Sequence, residues 1–141
     1  MSRSVFACFF WLNTLLGLAQ EIPKDDPGYL IHSIYFGGGS YLIDEEQQKG
    51  LFDFIRSIPN IEQYQVSVHA HTDNIGSKEY NQWLAAMRSE SVISRLEQYN
   101  IDREMIEIKR FGKYNPVYDN DTWIGRLKNR RVDIILWPIV F

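Results

Sequence analysis

Asp73 and Arg88 are the residues whose places in the chain most demand a chemical explanation. Asp73 closes the run His69-Ala70-His71-Thr72-Asp73, just ahead of a long helical pattern that opens at Gly76-Ser77. At about 100° per residue, Leu84, Ala85, Val92, Leu96 and Tyr99 of that helix gather into one apolar arc, and Asn81 and Arg88 fall inside it. A guanidinium on a core-facing row needs an anion, because stripping its water without one costs several kcal/mol. Two anions are open: Asp73 itself, in an internal salt bridge, or a ligand's carboxylate or phosphate, which the planar fork fits well. The turn Asp73-Asn74-Ile75-Gly76-Ser77 leads into a helix start, where free N–H groups and the dipole attract anions. If it folds back over the first half of the helix, Asp73 and Arg88 share one pocket, and a pocket with one charge of each sign suits a zwitterion.

Other chemistries fit less well. His69, His71 and Asp73 would lie on one face of a strand that ran so far, the spacing of a metal-hydrolase run. Catalytic zinc wants three ligands plus an open site, only His32 remains elsewhere, and Asn74 stands where the binuclear motif carries another His. No serine lies in a G-x-S-x-G elbow. Glu45-Glu46, Glu104 and Glu107 suit helix capping and solvation better than acid–base work, and glycoside cleavage would need two facing carboxylates. The expectation is a binding module that is not an enzyme and carries no metal or cofactor.

The ends and the composition set the compartment. Residues 1–19 read as a secretory signal peptide: Arg3 near the start, an apolar run from Val5 to Leu16, and small residues Gly17 and Ala19 for cleavage. The apolar run is short for a membrane span of about 20 residues, and a retained anchor is the alternative. Cys8, the only cysteine, lies within it and is too close to Arg3 for a lipid-attachment site, so the mature chain would carry no thiol. Losing Arg3 moves the net charge from −3 to −4, with 14 basic residues against 18 acidic, which speaks against nucleic acid as a partner. About 120 residues remain, enough for one domain and too few for an outer-membrane barrel as well.

The elements that must position these residues alternate. A polar lead-in over residues 20–29 precedes a strand over Leu30–Phe36 and a Gly37-Gly38-Gly39-Ser40 loop. Asp44 caps a helix carrying Leu51, Phe54, Ile55 and Ile58 and ended by Pro59. Tyr64–His69, Met105–Lys109 and Arg131–Val140 read as strands, with the second helix running to about Tyr99 and a polar loop before the last strand. The order β-α-β-α-β-β predicts an α+β fold, a mixed four-stranded sheet with two main helices packed on one face. Trp83 falls outside the apolar arc; packing against the long polar loop is the simpler expectation, an exposed partner surface the alternative.

His71-Thr72-Asp73-Asn74-Ile75-Gly76, followed by Asn81, Leu84 and Arg88, resembles the signature of the OmpA-like peptidoglycan-binding domains. Arg110-Phe111-Gly112, Asn115-Pro116, Gly125-Arg126 and Asn129-Arg130-Arg131-Val132 continue the match in order, over roughly residues 30–137 of a domain taken as 30–141. The resemblance implies non-covalent binding of peptidoglycan through the meso-diaminopimelate of its stem peptide, in the periplasm and associated with the outer membrane through an envelope protein partner. It implies that Asp73 takes the ligand's ammonium and Arg88 its carboxylate. Asn81, Leu84 and Thr72 would line the pocket, Arg130 would be a further contact, and the Gly37, Gly38 and Gly39 loop would offer backbone groups. The family usually has Gly where Ala70 stands, Ser for Ala85 and Ala for Ser89, all small-for-small changes. It also usually places Asp, Asn or Thr in the loop, so the three glycines point to weaker affinity and leave a periplasmic adaptor as the alternative function.

Overall fold

A computed structural model describes residues 28–140; the expected signal peptide and most of the lead-in lie outside the described residues. The elements are β1 (Leu30–Tyr35), α1 (Glu45–Arg56), β2 (Tyr64–His71), α2 (Lys78–Gln98), β3 (Ile106–Gly112), α3 (Trp123–Asn129) and β4 (Arg131–Pro138). Short 3-10 turns at Ile61–Gln63 and Arg103–Met105 lead into β2 and β3.

One mixed sheet forms in the order β1-β4-β2-β3. β2 and β3 are parallel, which requires a long crossover, and α2 supplies it. β4 inserts between β1 and β2 and runs antiparallel to both. The last strand of the chain is therefore central, buried along Val132, Ile134 and Leu136 on the helix side. Val66, Val68 and Ala70 of β2 face the same way and meet Leu51 and Ile55 of α1 and Ala85, Val92, Ile93 and Leu96 of α2.

The caps explain where the helices begin. Asp44 accepts from Gln47 N at 2.9 Å, and the Gln47 amide in turn bridges both backbone polar groups of Tyr35. That bridge pins the end of β1 to the start of α1. Ser77 accepts from Tyr80 N at 3.1 Å and opens α2. The polar loop holds a helix that the sequence reading did not foresee, α3, capped by Thr122. Its seven residues are too few for an amphipathic period to stand out. Gly125 is obligatory there, since a Cβ would come within 1.7 Å of Asp119 O.

β2 stops at His71, so alternation does not carry Asp73 onto the histidine face. A register shift between Ala70 and His71 leaves His71 opposite Gly112. His69 and His71 line the face of the sheet away from α1 and α2, and both contact the ring of Phe111. Asp73 turns away to the other side. Among the described residues no three of His, Cys, Asp and Glu cluster closely enough to hold a metal.

Burial and the Arg131 charge push the His71 imidazole down to about 4, with Asp133 opposing less strongly, and burial also lowers His69 and His32. A depressed imidazole is neutral in the folded state, so its contribution is complete above the unfolded value near 6.5 and is lost as pH falls towards 4. Denaturant titrations should show roughly 2–3 kcal/mol less stability at pH 4.5 than at pH 7 from His71 alone. The His71 ring protons, followed by NMR, should titrate with a midpoint near 4; a midpoint near 6.5 would contradict this environment.

Candidate functional site

A cavity of about 160 Å³ opens where the loop after β1, the turn after β2 and the first half of α2 converge. Gly38, Gly39, Asp73, Asn81, Leu84, Arg88 and Arg130 line it, together with Ile75 and Tyr80. Seven of the nine residues expected from sequence thus share one cavity. Thr72 and Gly37 stand just behind it: the Thr72 hydroxyl donates to Asp73 O, and Gly37 contributes its carbonyl to Arg88.

Arg88 is 1% exposed, and Asp73 is not its hydrogen-bond partner. Its guanidinium donates to three backbone carbonyls: Nε to Ser40 at 2.9 Å, Nη1 to His71 at 3.2 Å and Nη2 to Gly37 at 3.0 Å. Phe36 packs beneath the group, 5.1 Å from ring centroid to Cζ. Burial is the main force lowering the Arg88 pKa, to about 10, with Asp73 opposing and Arg130 adding to the fall. Arg88 is charged at neutral pH all the same. Of its five N–H donors, three are used by carbonyls and two remain for a guest.

Asp73 pairs with Arg130, Oδ2 to Nε at 2.6 Å, and both are nearly buried. Asp73 Oδ1 accepts from Ile75 N at 3.0 Å, which closes the turn into α2. Trp123 covers the far side of the Arg130 guanidinium at 5.6 Å. The cavity accordingly presents two guanidiniums and one carboxylate, with Arg130 added to the pair that the spacing pointed to. A carboxylate has about four lone-pair sites, so Asp73 keeps acceptor capacity beyond its two present donors.

The most informative atom is Asn81 Oδ1. The Asn81 amide donates through Nδ2 to Ile75 O and Ser77 O, both at 2.9 Å, and this fixes which way it points. Oδ1 is then buried with no partner. Buried polar groups are paired in the great majority of cases, so an orphaned acceptor beside a cavity is a demand for a donor. Charge and burial together equip the cavity to hold a small group bearing both a carboxylate and N–H donors.

Two of the loop glycines have specific reasons. Gly39 has φ +68, and a Cβ there would lie 3.1 Å from the Tyr80 hydroxyl. Gly38 lets the loop rest on Arg130, whose guanidinium would sit 3.5 Å from an added Cβ. Ile75 and Tyr80 were missed by the sequence reading. Tyr80 lies one residue before Asn81, so its place at the rim could have been read from the helix period; Ile75 is 58% exposed and gave no signal.

A larger groove, about 510 Å³, lies across the sheet on the face of His69 and His71. Its carboxylate is paired within the protein, since Asp133 accepts from Ser33 Oγ at 2.6 Å and from Arg131 Nε at 3.0 Å, while His69 Nε2 and His71 Nδ1 are buried without hydrogen-bond partners. Size alone does not make it the site.

The sheet ordered β1-β4-β2-β3, with a charged cavity between a strand-to-helix turn, a helix-borne arginine and a loop, defines the class as an α+β domain with one polar cavity at the start of α2. The OmpA family model matches residues 35–130, and the chain belongs to the OmpA family. The outer-membrane lipoprotein YfiB of Pseudomonas aeruginosa is 33% identical over 103 residues, covering 73% of this chain. The chain spans about three-fifths of that relative's length, 61%. The crystal structure of the peptidoglycan-associated lipoprotein from Burkholderia pseudomallei superposes with a TM-score of 0.67 at 27% identity, covering 74% of this chain and 88% of that one. The cell wall anchor of the T6SS from Pseudomonas aeruginosa gives 0.63 at 26% identity, covering 78% and 82%.

Arg88 is a structural clamp before it is anything else. Arg88→Lys supplies a point charge that cannot reach three diverging carbonyls, and should cost about 3 kcal/mol, read as a Tm lower by roughly 10 °C or more. A Tm within a degree or two of wild type would show that the carbonyl contacts carry little.

Proposed function

We propose that this domain binds peptidoglycan non-covalently in the periplasm, by enclosing the free amino-acid end of meso-diaminopimelate in the Asp73–Arg88–Arg130 cavity. Family membership supports peptidoglycan association in general; the diaminopimelate assignment rests on the cavity. The observation that carries it is the unpartnered Asn81 Oδ1 beside two guanidiniums and a carboxylate. An ammonium would donate to Asp73 and Asn81, and a carboxylate would take the two N–H groups that Arg88 has left. Gly38 and Gly39 admit the ligand close to the backbone, and Leu84 packs against its methylenes.

The carbonyl contacts of Arg88 make discrimination against lysine-type stem peptides moderate. Lysine in place of diaminopimelate removes the carboxylate, but Arg88 keeps its three carbonyl partners and is not left bare. The loss is then that of charged hydrogen bonds, about 1.5–3 kcal/mol, instead of that of a stranded buried charge.

A second reading, docking on an envelope protein, is favoured by α3, whose Trp123, Ile124 and Leu127 are exposed at 60%, 64% and 37%. The two are compatible, as a wall-bound module could tether a partner.

Sedimentation with purified sacculi separates them. The protein should be retained on diaminopimelate-type sacculi, about tenfold or more less on lysine-type sacculi, and about tenfold less when Asp73→Asn is used. That variant keeps the shape of the side chain and an acceptor for Ile75 N, and its melting curve checks that it folds. Equal retention of wild type and Asp73→Asn on both wall types would refute the cavity as the wall-binding site.

A further inference from the structure

The rim of the cavity continues into an aromatic shelf. Tyr80, which lines the cavity, lies 5.9 Å ring to ring from Trp83, and Trp83 lies a further 5.9 Å from Tyr41 in an edge-to-face arrangement. Trp83 is 49% exposed and Tyr80 42%. The ring partners of Trp83 are these two tyrosines.

The shelf is held in place before any ligand arrives. Ser91 Oγ donates to Tyr41 O at 2.6 Å, tying that segment to α2, while Tyr80 and Trp83 stand on α2 itself. Aromatic side chains have few rotatable bonds, so little freedom is lost when a ligand covers them.

Its chemistry differs from that of the exposed patch on α3. That patch sets Trp123 beside the aliphatic Ile124 and Leu127, which suit another protein's apolar side chains. The shelf consists of three rings, each carrying a polar tip. A pyranose has the same mixed character: its C–H groups form an apolar face with positive hydrogens that suit the negative face of an aromatic ring, and its rim is hydroxyls. The indole N–H of Trp83 and the hydroxyl of Tyr80 make no hydrogen bond among the described residues and can serve that rim.

We propose that the Tyr80–Trp83–Tyr41 shelf stacks against a sugar ring of the glycan strand whose stem peptide occupies the adjoining cavity. This rests on the cavity reading above and extends it from the peptide to the saccharide. Reach agrees: two residues, the second linked through its γ-carboxyl, separate diaminopimelate from the sugar's lactyl group and span roughly 7–10 Å when extended. Trp83 and Tyr41 are one and two ring-to-ring steps of 5.9 Å beyond the cavity wall. The domain would thus read the wall at its branch point, where peptide leaves glycan.

Isothermal titration with two synthetic ligands tests this. One is the tripeptide L-Ala–γ-D-Glu–meso-diaminopimelate; the other is the same tripeptide on its N-acetylglucosamine–N-acetylmuramic acid disaccharide. Wild type should bind the disaccharide-tripeptide about five- to tenfold tighter, the range of one aromatic stacking contact. Trp83→Ala should remove that advantage and leave tripeptide affinity unchanged, and Trp83→Phe should restore part of it. Equal wild-type affinity for the two ligands would overturn the shelf while leaving the cavity reading intact. So would a Trp83→Ala variant that weakens both ligands alike. Binding of neither ligand would overturn both. A concentration-dependent dimer in sedimentation velocity, lost in Trp83→Ala, would give the shelf to a second copy of this chain and overturn the saccharide.

Discussion

The structure depends on one buried cation. Arg88 reaches from α2 to three backbone carbonyls on two separate segments, the Gly37–Ser40 loop and the end of β2 at His71. The guanidinium ties both segments to the helix, and Arg130, which lies against Gly38 and pairs with Asp73, links them a second time. Burying a charge is expensive, and here the expense is offset by hydrogen bonds and by the Phe36 face, with Asp73 near enough to favour the charged form. The cavity is the space left between the parts that Arg88 draws together.

That arrangement divides labour among the charged residues. Arg88 is mostly committed to the backbone and keeps two N–H groups for a guest. Asp73 is steadied from one side by Arg130 and from the other by Ile75 N, so it presents a fixed carboxylate. Arg130 in turn lies between Asp73 and the Trp123 ring. With every charged group already held, a guest meets a preorganised site and does not have to order it. Within the cavity, Asn81 Oδ1 is buried without a partner among the described residues.

Much of this was legible in the chain. The helical row Leu84, Arg88, Val92, Leu96 put a guanidinium on the buried side of α2, and α2 does bury it. Strand and helix order followed from periodicity, and the caps Asp44 and Ser77 marked the helix starts. What periodicity could not give was the partner of each charge. Asp73–Arg130 joins residues 57 apart in sequence, and backbone carbonyls, the actual partners of Arg88, are present at every position and leave no mark in a sequence. The same holds for α3, too short for a period, and for the end of β2, where the register shift decides that His71 and Asp73 part company. Neither the loop glycines nor the aromatic neighbours of Trp83 could be interpreted before the loop was seen lying beneath Tyr80.

In the proposed function, one cavity, and not the broad face of the sheet, receives a zwitterionic amino-acid end. NMR titration of the isotope-labelled protein with free meso-diaminopimelate tests it at the level of single atoms. The side-chain N–H signals of Arg88, Arg130 and Asn81 and the backbone amides of Gly38, Gly39 and Ile75 should shift together on one saturation curve, while the ring signals of His69 and His71 stay still. Shifts confined to the histidine face, or no saturable shift at Arg88 and Asn81, would contradict it.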